Sequence, residues 1–305
     1  MTLSPELLGA APRRSVRMVA QRLLADLVDE QERLGEHPEA LHDFRVALRR
    51  LRSWLRAFRP WFRDTVSGRT YHDLGVIADA SGDARDAEVA LQWLGALILP
   101  KRASTGVSHL AARILRDERK ALRAFRAHVD ADFAATVRRL GKQLTSYKVN
   151  VAPDDPATLL TMSAVLSQTV REHVAGFEGA VRSVTSADDE AAAHRARIAG
   201  KRLRYLLEQC ANPRVGDLVK QMAKLQDALG ELHDAHVLIE RIAAERASLA
   251  KTPHVRGTPD PRPGLYALSA RTRARSVAAY GEFRQQWDSH GDEMLETATR
   301  IADGA

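Results

Sequence analysis

A polar pattern that occurs twice limits what this chain can fold into more than any other feature. The stretch 41–58, LHDFRVALRRLRSWLRAF, carries His42, Arg45, Arg49, Arg50 and Arg52. The stretch 194–207, HRARIAGKRLRYLL, repeats that skeleton with His194, Arg197, Lys201, Arg202 and Arg204, each 152 positions later. A second correspondence, at a shift of 148, is independent of the arginines. It matches Asp79, Ala80, Gly82, Asp86, Ala87 and Val89 to Asp227, Ala228, Gly230, Asp234, Ala235 and Val237. The difference of four between the shifts is absorbed in the connection between adjacent helices. A chain repeated in this way is expected to build two similar halves, one over 12–149 and one over 157–302, with 150–156 (VAPDDP and the residue before it) as the linker.

Both copies of the motif read as helix. At roughly 100° per residue, His42, Arg45, Arg49, Arg52 and Arg56 fall within an arc of roughly 80°, a single cationic stripe. Leu41, Phe44, Leu48, Leu51, Leu55 and Phe58 occupy the neighbouring arc, so one face can be buried while the other meets a ligand. Guanidinium is permanently charged and donates bidentate hydrogen bonds to phosphate oxygens. Several at helical spacing can follow a linear polyanion rather than grip one small group. A basic face of this kind is also what a merely solvated helix presents, but solvation does not require the same spacing twice.

The rest of the chain reads as helices with turn signals between them. Helices are expected from Pro12 to Arg33, Glu39 to Phe58 with a stop at Pro60, and Ser67 to Ala80 with Gly82 as a left-handed terminus. A new helix is expected from Asp83 to Pro100, then a loop over Lys101 to Ser108, then helix from His109 to about Tyr147 in two segments. The second half repeats the plan: Ala157 to Val184, the motif helix, Val215 to Leu229, Gly230, and Glu231 to Leu249. A loop over Thr252 to Gly264 and a last helix from Leu265 to Ile301 follow. No strand pattern is present, so the expected class is all-α, built as two similar helical halves.

Further cations sit outside the motifs. His109, Arg113, Arg116, Lys120 and Arg123 recur at alternating spacings of four and three, and Lys220 and Lys224 make a small patch near the second motif. Arg271, Arg273 and Arg275 mark the last helix. The formal net charge is +7 and the pI near 9.8, which points to anionic partners without choosing among nucleic acid, phosphate polymer and membrane surface. Aromatic residues make up only 5%, mostly at helix-core spacing, so stacking platforms for single-stranded bases are not evident. Cys210, the single cysteine, lies on an apolar run and reads as a buried thiol. The absence of a signal peptide and of a membrane-length apolar run leads to the expectation of a cytoplasmic protein.

The residues admit two catalytic readings. Asp86 and Asp234 follow the glycines by four and could act as catalytic acids or metal ligands, but the reading favoured is that of first-turn carboxylates that offset unpaired amides. His233, Asp234 and His236 form H-D-x-H, which suits a metal-dependent phosphohydrolase. Its counterparts in the first half are Arg85 and Glu88 at the two histidine positions, so the ligand set is not shared. No P-loop, nucleophile elbow, dinucleotide fingerprint or cysteine-based zinc pattern occurs.

HDFRVALRRLR at 42–52, HRARIAGKRLRY at 194–205 and LQDALGELHDAHV at 225–237 together resemble the CHAD domain, the conserved-histidine α-helical domain, over about Ser15 to Thr299. The resemblance implies an all-α fold of two tandem four-helix bundles related by a pseudo-twofold, with motif helices lining a basic central groove or pore. It also implies binding of inorganic polyphosphate and association with polyphosphate granules, without catalysis, metal or cofactor. Phosphate or sulfate would be accepted in the same site, and nucleic acid is the competing partner. The implied ligand-facing set is His42, Arg45, Arg49, Arg52 and Arg56 with His194, Arg197, Lys201 and Arg204. Arg50, Arg202, Arg113, Arg116, Lys120, Lys220, Lys224, Arg271 and Arg275 are the additional candidates. Glu208 stands opposite Arg56, and Lys201 replaces a bidentate donor with a point charge.

Overall fold

The computed structural model describes residues 3–37, 39–97, 103–146, 160–251 and 254–304, and every regular element among them is helical. The expected linker 150–156, the stop at Pro100 and the opening of a helix at Ala157 lie outside the described residues. In order, the helices are α1 (Pro5–Gly9), α2 (Pro12–Glu32), α3 (Ala40–Ala57), α4 (Arg59–Phe62), α5 (Gly68–Ala96), α6 (Ser104–His128) and α7 (Ala134–Thr145). They are followed by α8 (Met162–Arg182), α9 (Glu190–Leu207), α10 (Val215–Ala250) and α11 (Arg262–Asp303). A π-helical turn over Val129–Phe133 joins α6 to α7, which accounts for the two segments read in the sequence there.

Local chemistry sets most of the boundaries. Pro12 sits at the first position of α2, where a missing amide costs nothing, and Gly35 takes φ 95° in the turn that follows. Ser67 caps α5 through Thr70 N at 3.3 Å, and Thr161 caps α8 through Ala164 N at 3.2 Å. The motif helix α3 ends at Ala57, before Pro60, and the short α4 turns the corner with Phe62 fully buried. The loop expected over Lys101 to Ser108 is shorter than that, since Ser104 already begins α6.

The two motif-following glycines do not end helices. Gly82 lies inside α5 and Gly230 inside α10, each helix running on without a break. Neither glycine has a positive φ. Mid-helix glycine costs about 1 kcal/mol relative to alanine, a cost that packing along a long helix readily outweighs. Asp86 and Asp234 therefore sit mid-helix, far from any free amides, and their reading as first-turn carboxylates is corrected.

Helices α2, α3, α5 and α7 pack in a ring, and α8, α9, α10 and α11 in another. One hydrophobic core runs through both, from Val16, Phe44, Leu51 and Leu74 to Leu166, Phe177, Leu203 and Phe283. In α3 the expected apolar arc is the buried one: Phe44, Leu48, Leu51, Leu55 and Phe58 are all sealed from solvent. Trp54 Nε1 donates to Val16 O at 2.9 Å and ties α3 to α2. The N-terminal stretch, which the sequence left unassigned, clasps the second ring: Leu3 N donates to Gln209 O and Met162 N to Ala10 O, each at 2.9 Å.

A second core lies where the far arms of α5, α6, α10 and α11 meet, around Trp93, Leu94, Leu110, Ile242, Leu265 and Leu268. There Gly106 and Gly264 allow α6 and α11 to cross almost in contact. A Cβ on Gly106 would come within 2.6 Å of the Gly264 backbone. The long hairpins thus lock the two rings together, and α3 and α9 are held face to face between them.

Candidate anion-binding groove

The motif helices α3 and α9 pack against one another, which brings both cationic stripes to one place. A cavity of about 260 Å³ lies between them, lined by Arg49, Arg52, Ser53 and Arg56 of α3, by Arg197, Ile198, Lys201 and Arg202 of α9, and by Asp79 of α5. A second cavity, of about 440 Å³, continues along α3 and is lined by Arg45, Arg49, Arg52, Asp79, Ser81, Asp83 and Asp86. Arg49, Arg52 and Asp79 line both. Arg45 is steadied by Ser81 Oγ at 3.1 Å, and its guanidinium lies over Gly82, where a Cβ would stand 3.5 Å away, at ordinary contact distance.

These cations are held without ion-pair partners among the described residues. Among the described residues, Arg45, Arg49, Arg52, Arg56, Arg197, Lys201 and Arg202 make no ion pair within 4.0 Å, whereas Arg50, Arg139, Arg171, Arg204 and Arg275 all do. Arg197 Nε is buried with no hydrogen-bond partner. Their effect on one another shows in the titration of the site. Burial, then Arg49, lowers Arg45 to about 10. Burial, then Arg197, Arg49, Arg204 and Arg45, lowers Lys201 to about 6. Arg52 and Arg202 are lowered by burial and by Arg56, which reaches both from one side. Concentrated positive charge that is desolvated and unpaired is the condition in which an incoming anion gains most.

His42 and His194 are exposed at the ends of the stripes, and neither ring hydrogen-bonds another described residue. Burial lowers the pKa of each, aided by Arg85 at His42 and by Arg197 at His194. The His194 ring lies 5.2 Å from that of His233, which burial and Arg197 push down to about 3. Asp234 faces the same cluster and is raised to about 6, by burial first and with Asp86 and Glu231 adding to it, against the pull of Arg197.

Not every candidate joins the groove. Arg50 points away from the stripe, pairs with Glu208 at 3.0 Å and lies over the Tyr205 ring. Arg204 is bound to the same Glu208 at 3.6 Å. Arg113, Arg116, Lys120, Lys220, Lys224 and Arg271 are exposed and line neither cavity. Arg275 pairs with Glu231 and stacks over Trp93 at 4.6 Å, so it braces α11 against α10 and α5. In the H-D-x-H stretch, His236 places Nε2 2.6 Å from Ala187 O and ties α10 to the turn before α9. Among the described residues no three His, Cys, Asp or Glu side chains converge as a metal site would require.

The carboxylate wall of Asp79, Asp83 and Asp86 was not singled out as groove lining from the sequence, although Asp79 and Asp86 were already visible as repeated positions. Cys210 is buried, its thiol pushed up to about 12 by burial. No described helix is long and apolar enough to cross a membrane.

The chain is similar in fold to two solved structures. One is the crystal structure of the CHAD domain from the plant Ricinus communis, with a TM-score of 0.64, 21% identity, and coverage of 100% of this chain and 95% of that one. The other is PptA from Streptomyces chartreusis, with a TM-score of 0.67, 17% identity, and coverage of 92% of this chain and all of that one. No curated protein matches the sequence. The CHAD domain model matches residues 18–243, which takes in both motif helices and both cavity walls. By that match, the chain belongs to the CHAD domain family.

Proposed function

We propose that this protein binds inorganic polyphosphate, without catalysis, in the groove between α3 and α9. The observation that carries the reading is the set of desolvated cations from both motif helices that share one cavity and, among the described residues, make no ion pair within 4.0 Å. Arg49, Arg52, Arg56, Arg197, Lys201 and Arg202 would contact successive phosphates, and His42 and His194 would donate to the chain at the groove ends once its charge favours their protonated form. Binding is then multivalent charge neutralisation, and granule association in the cytoplasm is the setting that fits it. Arg113, Arg116, Lys120, Lys220, Lys224 and Arg271 would serve only as an outer field that steers the polymer inward.

The cavity between α3 and α9 has cations on both sides and no aromatic lining, which favours a slim polymer charged at every unit over one that carries bases. A titration across phosphate chain lengths tests the reading. Affinity should rise with length until the groove is filled and should fall with added salt. Polyphosphate should displace labelled RNA far better than RNA displaces polyphosphate. Equal displacement in both directions, or no dependence on chain length, sinks the assignment.

A further inference from the structure

Lys201 differs from the other described lysines. Lys120, Lys220 and Lys224 are exposed, and Lys220 pairs with Asp217 at 3.4 Å. Lys201 is half-buried in the wall of the cavity between α3 and α9, beside Arg49, Arg52, Arg56, Arg197 and Arg202, and it makes no ion pair with another described residue. The charged and titratable groups facing it come from three helices: Arg45 and Arg49 of α3, Arg197, Arg204 and His194 of α9, and His233 and Asp234 of α10. Asp79 of α5 lines the same space. The cavity thus joins an accessible primary amine to guanidiniums suited to a phosphate.

We propose that Lys201 is a modification site whose ε-amine takes an acyl group from an acyl phosphate bound in this cavity by its phosphate end. The proposal rests on the anion-binding reading only as far as the cavity accepts a phosphate group. The Nζ lone pair attacks the carbonyl carbon, and the bond from that carbon to the phosphate oxygen breaks. Inorganic phosphate leaves with the electron pair, held by Arg49 and Arg197, and the proton from nitrogen passes to the departing phosphate or to water. An amide replaces the amine, and nothing is oxidised or reduced. In the free protein burial and the surrounding guanidiniums lower the amine to about 6, so it starts neutral near pH 7, and a single phosphate end paired with Arg49 and Arg197 raises it less than a polymer that fills the groove. The product has no charge and adds bulk to the cavity, so acylation would remove one groove cation and lower polymer affinity.

The test is incubation of the full chain with acetyl phosphate near neutral pH, with site occupancy followed by peptide mass spectrometry. Lys201 should be acetylated about tenfold or more faster than the exposed Lys120, Lys220 and Lys224, which line neither cavity and have no phosphate-holding guanidiniums arranged beside them. Excess polyphosphate should suppress that labelling and leave the exposed lysines unaffected. The Arg49→Gln, Arg197→Gln double variant should lose most of the preference. Lys201→Arg should lose the adduct and keep the labels elsewhere. Equal rates at Lys201 and the exposed lysines overturn the proposal, as does a preference that polyphosphate leaves unchanged. A polyphosphate titration on the same preparation separates the two readings. Uniform labelling with polymer still bound removes the modification alone, and selective labelling without polymer binding removes the polymer reading alone.

Discussion

The two motif helices share a skeleton but end differently. In α3 the stripe runs on to Arg56, exposed in the wall of the cavity it shares with α9. In α9 the equivalent position is Glu208, which takes Arg204 from its own helix and Arg50 from the other, with Tyr205 beneath both guanidiniums. One end is left as bare positive charge and the other is neutralised into a brace between the rings. The same cationic skeleton can therefore serve as a ligand surface or as a structural tie, and a single carboxylate decides which at this end.

The largest expected effect comes from reversing the open half. Arg45, Arg49 and Arg52 changed together to Glu should weaken polyphosphate binding by at least ~10³-fold, since each charge-assisted contact contributes about 1.5–3 kcal/mol. Helical content by circular dichroism should be unchanged, because the buried arc of α3 is untouched. Retained affinity would mean that the two halves do not differ in the way the cavities suggest.

Next in size is the pH dependence. Lys201 in the free protein titrates at about 6, and bound phosphates raise its pKa, so binding takes up a proton between the two values. Affinity should fall as pH rises above about 6, and Lys201→Arg should flatten that slope. Asp234, also at about 6, gains negative charge over the same range and adds to the fall in the same direction. An affinity independent of pH between about 6 and 8 would place Lys201 outside the contact surface.

Glu208→Gln probes the closed end directly. It releases Arg50 and Arg204, so polymer affinity should rise by about two- to fivefold while stability falls by about 2 kcal/mol or less, the usual scale for the two partly exposed ion pairs it breaks. Chemical denaturation and the chain-length titration read the two effects separately. The smallest effect is expected on α6, where Arg113, Arg116 and Lys120 changed to Glu should alter affinity by less than about threefold and mainly reduce the association rate and its salt dependence. A loss comparable to that of the α3 triple variant would move the binding surface out of the groove.

Much of the site was legible before any coordinates. The stripe His42, Arg45, Arg49, Arg52 and Arg56 and the buried arc beside it follow from helical geometry, because the residues that define both lie within a few turns of one another. Other features were not legible. The same periodicity put Arg113 and Lys120 in a stripe of similar appearance, and nothing local shows that α6 turns that face to solvent while α3 turns its own toward α9. Gly82 and Gly230 looked like helix termini because glycine's intrinsic cost is a local quantity, whereas the packing that carries α5 and α10 through them is not.

The sequence by itself determined the helical class, the repeated cationic motif and the burial of Phe44, Leu48, Leu51 and Leu55, all matters of spacing along the chain. Only the tertiary structure decided that the two stripes share one cavity, that Arg50 and Arg204 are bound to Glu208, and that burial and neighbouring guanidiniums lower the pKa of Lys201. The reason is physical. Charges act through space, and the distance between residues 150 positions apart is set by how helices pack, not by how the residues are ordered.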